Sequence, residues 1–229
     1  MLIGGFQKLT LLDYPGKVAC IVFTHGCNFR CPFCHNAPLV THAYDGFEDS
    51  EIFSYLEKRK GVLDGVVVSG GEPLLQKDIF AFLGKLKALG YAVKLDTNGS
   101  FPQKLREAID RGLVDYVAMD IKNAAEKYAD TAICTQNEIG LVEESIDILL
   151  EGRVEYEFRT TVVRELHTRA DIERIAERIS GARRFYLQSF IDSGNLISDG
   201  YSAYSPDEMR VLLETARTRM PKAELRGVE

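Results

Sequence analysis

Val18-Ala-Cys-Ile-Val-Phe-Thr-His-Gly-Cys-Asn-Phe-Arg-Cys-Pro-Phe-Cys-His-Asn36 is the stretch on which the reading of this chain turns. Its first part, Val18–Thr24, is an apolar run that reads as a buried strand. The strand gives way to a loop carrying Cys27, Cys31 and Cys34 with spacing C-x3-C-x2-C. Three thiolates packed so tightly have little to do in a fold except hold a metal. Three protein ligands on a four-position centre leave one position open for chemistry, whereas a closed structural site would use a fourth.

Outward from that loop, short β-rich runs alternate with helical patterns. Strands are expected at 18–24, 66–69, 92–96, 116–121, 155–163 and 184–190. Helices are expected at 50–60, 75–89, 101–111, 138–150, 171–180 and 206–219. Gly90 fits as a helix stop, Tyr14-Pro-Gly-Lys17 as a turn, and Ser205 as an N-cap ahead of Pro206. Regular alternation argues an α/β fold with a parallel sheet and helices outside. Six units fall short of a full barrel. The expectation is a partial (β/α)6 TIM-like barrel, open on one side, although a doubly wound sheet also fits. The chain of 229 residues reads as a single domain. Residues 1–17 form an N-terminal arm, 18–200 the partial barrel and 201–229 a helical segment.

Composition sets the class. Hydrophobic residues at 45% and charged residues at 27% are ordinary for a soluble globular protein. With net charge −6 and no long Lys/Arg run, nothing marks a nucleic-acid footprint. No apolar run approaches the length of a membrane span, and no secretory signal is legible. The address expected is the cytoplasm, and an odd count of five cysteines, three of them clustered, suits a reducing compartment. Cys20 and Cys134 are expected to pack as small apolar groups, too few for a second cluster.

Nearly every unusual polar segment falls at the C-terminal end of an expected strand. Ser69-Gly-Gly-Glu-Pro73 comes after the second and Asp96-Thr-Asn-Gly99 after the third. Asp120-Ile-Lys122 ends the fourth, Arg159 lies in the fifth and Gln188 near the end of the sixth. Ligand sites of barrels and open α/β sheets gather at that edge. Each segment also has a plainer reading. Gly70-Gly71 makes a sharp turn, Asn98-Gly99 marks a loop, and Asp120 and Lys122 share a strand face as a salt bridge. Arg159 would pair with Glu157 on the same alternation. His35 directly follows Cys34, so it is poorly placed to join the same metal, and a Cys3His zinc site is disfavoured.

Taken together these residues resemble the radical S-adenosylmethionine (SAM) enzymes. The resemblance rests on Cys27-x3-Cys31-x-Phe33-Cys34 and runs on through Ser69-Gly-Gly-Glu-Pro73, Asp96-Thr-Asn-Gly99 and Asp120-Ile-Lys122. Cys34-His35-Asn36 with Ser69-Gly-Gly-Glu72 is similar to the activases that install glycyl radicals. Gly5-Phe-Gln-Lys-Leu-Thr-Leu-Leu-Asp-Tyr-Pro-Gly-Lys17 resembles the activating proteins of anaerobic ribonucleoside-triphosphate reductase.

The resemblance implies a [4Fe–4S] cluster held by Cys27, Cys31 and Cys34, with SAM chelating the fourth iron. Gly70, Gly71 and Glu72 would meet the SAM ammonium, and Phe33 would lie against the adenine. Asp120, Lys122 and Arg159 would line the ribose and carboxylate side, and His35 and Thr97 would complete the cofactor contacts. A monovalent cation near Asp96 and Asp120 is a further implied feature, although Ala118-Met119 departs from the family's spacing there. One electron into the sulfonium would release methionine and a 5′-deoxyadenosyl radical.

The partner implied is a glycyl-radical enzyme, foremost anaerobic ribonucleotide reductase, with a low-potential donor such as flavodoxin or ferredoxin. Alternatives within the family are a pyruvate formate-lyase activase, activation of another glycyl-radical enzyme, or a small-molecule radical SAM reaction. Outside it stand an iron–sulfur electron carrier and a zinc-binding interaction module.

Overall fold

The computed structural model describes residues 1–43, 46–192 and 194–228. All six expected strands are present, and two more flank them. The strands are β1 (Ile3–Thr10), β2 (Ala19–Thr24), β3 (Gly65–Gly70), β4 (Ala92–Thr97), β5 (Tyr116–Asp120), β6 (Glu155–Val162), β7 (Phe185–Ser189) and β8 (Ala223–Arg226). They form one sheet in the order β1 to β8. β1 runs antiparallel to β2, and every later pairing is parallel. The ends β1 and β8 do not pair, so the sheet curls into a partial barrel that stays open along one side.

Two sequence expectations give way here. Residues 1–17 are not merely an arm, because Ile3–Thr10 hydrogen-bonds along β2. Residues 201–229 are not only helical, because the chain returns after its last helix to add β8 beside β7. Both strands are context-made: β8 is four residues long and half charged, so pairing and not alternation defines it.

The helices are α1 (Ala37–Thr41), α2 (Asp49–Glu57), α3 (Ile79–Ala88), α4 (Pro102–Asp110), α5 (Ala125–Ala132), α6 (Gln136–Leu150), α7 (Arg169–Arg178) and α8 (Pro206–Arg217). The expected helix at 75–89 begins later, behind a single 3-10 turn at Pro73–Leu75. The cap expected at Ser205 forms as a reciprocal box with Glu208, and Pro206 opens the helix. The short α1 and α5 are absent from the sequence expectation, although α5 sets Ala125, Tyr128, Ala129 and Ala132 at helical spacing.

Strand alternation sorts the core into two layers. Cys20, Val22, Val66, Val68, Val93 and Leu95 face the helices. The opposite faces of the same strands send Ala19, Ile21 and Val67 inward, where Tyr14 and Tyr116 join them as an apolar plug inside the barrel. A fully buried Val or Leu of this kind contributes about 1.5–3 kcal/mol. Beyond the plug the inward positions turn polar, and that change marks the functional end of the barrel.

Candidate radical SAM site

The loop between β2 and α1 carries the three thiols to the C-terminal edge of the sheet. Backbone bonds fix it from two sides: Arg30 N–H donates to Ala132 O of α5 at 3.0 Å, and Cys34 N–H donates to Cys31 O at 3.1 Å. Cys31 is buried, and Cys27 and Cys34 are half-buried. All three line one cavity of about 460 Å³, together with Phe33 and His35. Two donors already point at the Cys27 sulfur: Phe29 N–H at 3.4 Å and Asn98 Nδ2 at 3.7 Å. The His35 ring stacks on Phe190, with centroids 5.6 Å apart and planes inclined by 17°.

The turn after β3 packs directly on the cysteine loop. Gly70 has φ +119°, and a Cβ there would lie 2.2 Å from Thr24 N. A Cβ on Gly71 would lie 2.0 Å from Gly26 O. Only glycine lets the two backbones approach so closely, and Glu72 N–H then donates to Gly26 O at 2.9 Å. Asn36 Nδ2 closes the arrangement by donating to Gly70 O at 3.1 Å.

Glu72 itself is fully buried and faces away from the cavity. Its carboxylate accepts from Leu74 N–H, Thr97 Oγ1–H and Asn98 N–H at 3.0, 2.9 and 2.7 Å. Burial pushes its pKa up to about 7 against the pull of those donors. Glu72 therefore ties the β3 turn to the β4 loop. That loop is also held by Asn28, whose Nδ2 reaches Ser100 Oγ at 3.0 Å and Glu138 Oε1 at 2.9 Å.

Opposite the cysteines lies a lattice of five charges. Arg159 on β6 donates through Nε to Asp120 Oδ1 at 2.9 Å and through Nη1 to Asp96 Oδ2 at 3.4 Å. Lys122 Nζ meets Asp120 Oδ2 at 3.1 Å, and Lys94 Nζ meets Asp96 Oδ1 at 2.5 Å. Burial alone would raise both carboxylates. The Arg159 guanidinium outweighs it, with Lys94 at Asp96 and Lys122 at Asp120, so both stay below the usual carboxylate range. Burial would lower Lys122 and Arg159, but Asp120 overrides it and holds both firmly protonated. Three cations balance two carboxylates in this lattice; Lys122 and Arg159 face the cavity with Asp96 and Asp120, while Lys94 is buried behind them.

The expected Glu157–Arg159 ion pair is not what forms. Glu157 is fully buried and is clasped by both guanidinium nitrogens of Arg226, at 2.7 and 2.9 Å, with Tyr116 Oη–H donating at 2.7 Å. Arg226 comes from β8, a strand the sequence does not announce. Of the other residues expected at the site, Phe33, Gly70, Gly71, Thr97, Asp120, Lys122, Arg159 and Gln188 all line the cavity, while Glu72 stands behind it. Lys94 is absent from the sequence expectation, although Lys94 and Asp96 share one face of a strand by simple alternation.

The radical SAM superfamily profile matches residues 21–179, which takes in the cysteine loop and five of the strands. The chain belongs to the radical SAM superfamily. Two Methanocaldococcus jannaschii proteins assigned as glycyl-radical enzyme activating enzymes are similar to it. One is 36% identical over 82% of this chain and 80% of its own length, the other 29% identical over 92% and 80%. A pyruvate formate-lyase-activating enzyme of Listeria monocytogenes is 38% identical over 51% of each chain. Among solved structures, a domain of a Bacteroides vulgatus pyruvate formate-lyase-activating enzyme superposes with TM-score 0.59 at 17% identity. It covers 71% of this chain and 99% of that one. SuiB of Streptococcus suis superposes with TM-score 0.71 at 16% identity, over 90% and 48%. These two share the fold.

Radical SAM membership implies a [4Fe–4S] cluster and SAM, and the donor set here fits the cluster. Burial pushes the Cys27 thiol up to about 12, helped by the nearby Glu72 charge, and the Cys31 thiol up to about 11. Such thiols are neutral on their own and are deprotonated outright by a coordinated metal. Cys27, Cys31 and Cys34 line one cavity, and Phe29 N–H and Asn98 Nδ2 are directed at the Cys27 sulfur, where such bonds tune a cluster's potential.

Proposed function

We propose that this radical SAM enzyme activates a glycyl-radical enzyme by removing a hydrogen atom from a glycine Cα, the partner being anaerobic ribonucleoside-triphosphate reductase. The observation that carries a protein substrate is the unclosed barrel. Asp13, just past β1, and Arg226 and Gly227, at the end of β8, line the cavity where the two unpaired ends of the sheet leave it open. A loop can reach the cavity through that gap without unfolding the enzyme. The N-terminal Gly5–Lys17 segment, with its resemblance to reductase-activating proteins, favours the reductase over pyruvate formate-lyase.

In this reading Cys27, Cys31 and Cys34 would hold the cluster, which would supply one electron for reductive cleavage of SAM. The Gly70-Gly71 backbone would meet the SAM ammonium, and Phe33 would pack on the adenine. Lys122 and Arg159 would offer the cationic groups that suit the SAM carboxylate, with Asp120 on the ribose side. Glu72 acts at one remove, by holding Thr97 and Asn98. No general base is needed, because the substrate loses a hydrogen atom and not a proton. The electron donor is a flavodoxin or ferredoxin, and the setting is the reducing cytoplasm. No described helix is long and apolar enough to cross a membrane.

The test is electron paramagnetic resonance of the reduced, reconstituted protein mixed with SAM and each candidate partner. A glycyl doublet with the reductase and none with pyruvate formate-lyase supports the assignment. The reverse pattern reassigns the partner, and SAM cleavage without a doublet on any partner sinks the activase reading.

The Lys94 ammonium, buried against Asp96, supplies charge where the resemblance implies a monovalent cation. SAM cleavage is therefore expected to be unchanged when potassium and sodium are replaced by a bulky organic cation at constant ionic strength. Lys94→Met is expected to lose about tenfold in activity and to regain part of it with added potassium. A wild-type enzyme that stops working without alkali cations would overturn this role for Lys94.

A further inference from the structure

Among the described residues, Tyr128 Oη is the buried side-chain nitrogen or oxygen with no hydrogen-bond partner. Leaving such a hydroxyl unpaired costs roughly 1–3 kcal/mol, so its surroundings bear on what it is for. Tyr128 sits on α5 and is 2% exposed. Its ring meets Phe29 of the cysteine loop edge-on, with centroids 6.4 Å apart. One turn further along α5, Ala132 O faces the Cys31 sulfur at 3.8 Å and accepts from Arg30 N–H. Around the hydroxyl lie Lys122, backbone and ammonium alike, and the Cys31 and Cys134 thiols. Lys122 is an obligate donor already engaged with Asp120. Neither the Lys122 ammonium nor its backbone N–H can accept, so the acceptors beside the hydroxyl are the Cys31 and Cys134 sulfurs, of which Cys31 belongs to the cysteine loop.

We propose that Tyr128 donates its hydroxyl hydrogen bond to sulfur at the Cys31 corner of the [4Fe–4S] cluster and thereby raises the cluster's reduction potential. The proposal rests on the cluster reading above. A donor aimed at a cluster sulfur stabilises the more negative, reduced state, and such bonds are among the features that set the potential. Phe29 N–H and Asn98 Nδ2 serve the Cys27 sulfur in the same way. Tyr128 supplies the matching contact at Cys31, from a helix that the cysteine motif does not include.

Tyr128→Phe keeps the ring against Phe29 and removes only the donor. In an electron paramagnetic resonance titration its midpoint is expected to move negative, by up to about tenfold in the reduction equilibrium, or about 59 mV for one electron. Iron content stays at the wild-type level. Electron–nuclear double resonance of the reduced wild type in H2O and D2O reads the exchangeable protons on the cluster, and one signal, besides those of Phe29 N–H and Asn98 Nδ2, is expected to vanish in the variant. A loaded variant with an unmoved midpoint and an unchanged proton signal overturns the proposal alone. A wild-type protein that forms no [4Fe–4S] signal overturns the cluster reading and the proposal with it. Wild type carrying 3-fluorotyrosine, a more acidic donor, is expected to shift the midpoint positive, and an unmoved midpoint there also overturns the proposal.

Discussion

Cys31→Ala protein, reconstituted anaerobically with iron and sulfide, is expected to hold no [4Fe–4S] cluster and to cleave no SAM above background. The loss should lie well beyond the roughly 10–100-fold that changes outside the ligand shell cost. Cys31 is the most buried of the three thiols and the one nearest both α5 and the charge lattice. Two ligands cannot hold a cluster that three barely retain. The fold itself should survive, because the loop is pinned by backbone groups at Arg30, Cys34, Gly26 and Glu72 that the substitution leaves in place. The measurement is iron and sulfide content with 5′-deoxyadenosine release, beside a thermal melt of the metal-free protein. Retained SAM cleavage would mean that the ligand set has been misassigned.

Such an outcome is foreseeable almost without the fold, and the reason is physical. Metal ligation by neighbours in sequence is a local property, written in spacing. The strand-to-loop pattern is legible for the same reason: Val66–Ser69 and Ala92–Asp96 are buried on both faces or alternate cleanly, and the polar residues lie at one end of each. The ends of the sheet are not legible. Ile3–Thr10 contains two glycines and mixed polarity, and Ala223–Arg226 is half charged; both become strands only because a partner strand is there to bind. Helix α5 escapes notice because it is only eight residues long and its apolar stripe, Ala125, Tyr128, Ala129 and Ala132, is mostly alanine.

The site shows the same division. Gly70 and Gly71 read as a turn, and the structure adds why no side chain fits there. Arg159 reads as the partner of Glu157, because alternation places them on one face. Alternation cannot say which neighbouring strand supplies the better partner. In the folded barrel, β8 brings Arg226 to Glu157 and leaves Arg159 to the two aspartates. Roles that depend on pairing across strands, such as those of Lys94, Arg226 and Tyr128, need the fold.

Removing the hub of the charge lattice should be the costliest single change outside the cysteines. Arg159→Met keeps much of the side-chain volume but leaves Asp96 and Asp120 close together with only Lys94 and Lys122 to balance them. Breaking a buried pair by deleting one partner costs about 3–5 kcal/mol. Asp120 is partly open to the cavity, so the low end applies, about 3 kcal/mol, which for a chain of this size lowers Tm by roughly 10 °C. The sign with pH comes from the direction of the shifts. Both aspartates sit below the usual carboxylate range in the wild type. Their stabilising share is therefore present above the unfolded value of about 3.9 and is lost as pH falls through the folded values. In the variant that share is missing, so the Tm gap to wild type should be full from about pH 5 to 8 and close only as the pH falls below about 4. SAM affinity should fall in parallel, since the Arg159 guanidinium facing the cavity is gone. Thermal melts of both proteins across that pH range, with equilibrium binding of SAM at pH 7.5, make the measurement. A gap that stays constant with pH would show that Arg159 works by packing and not by holding the two carboxylates.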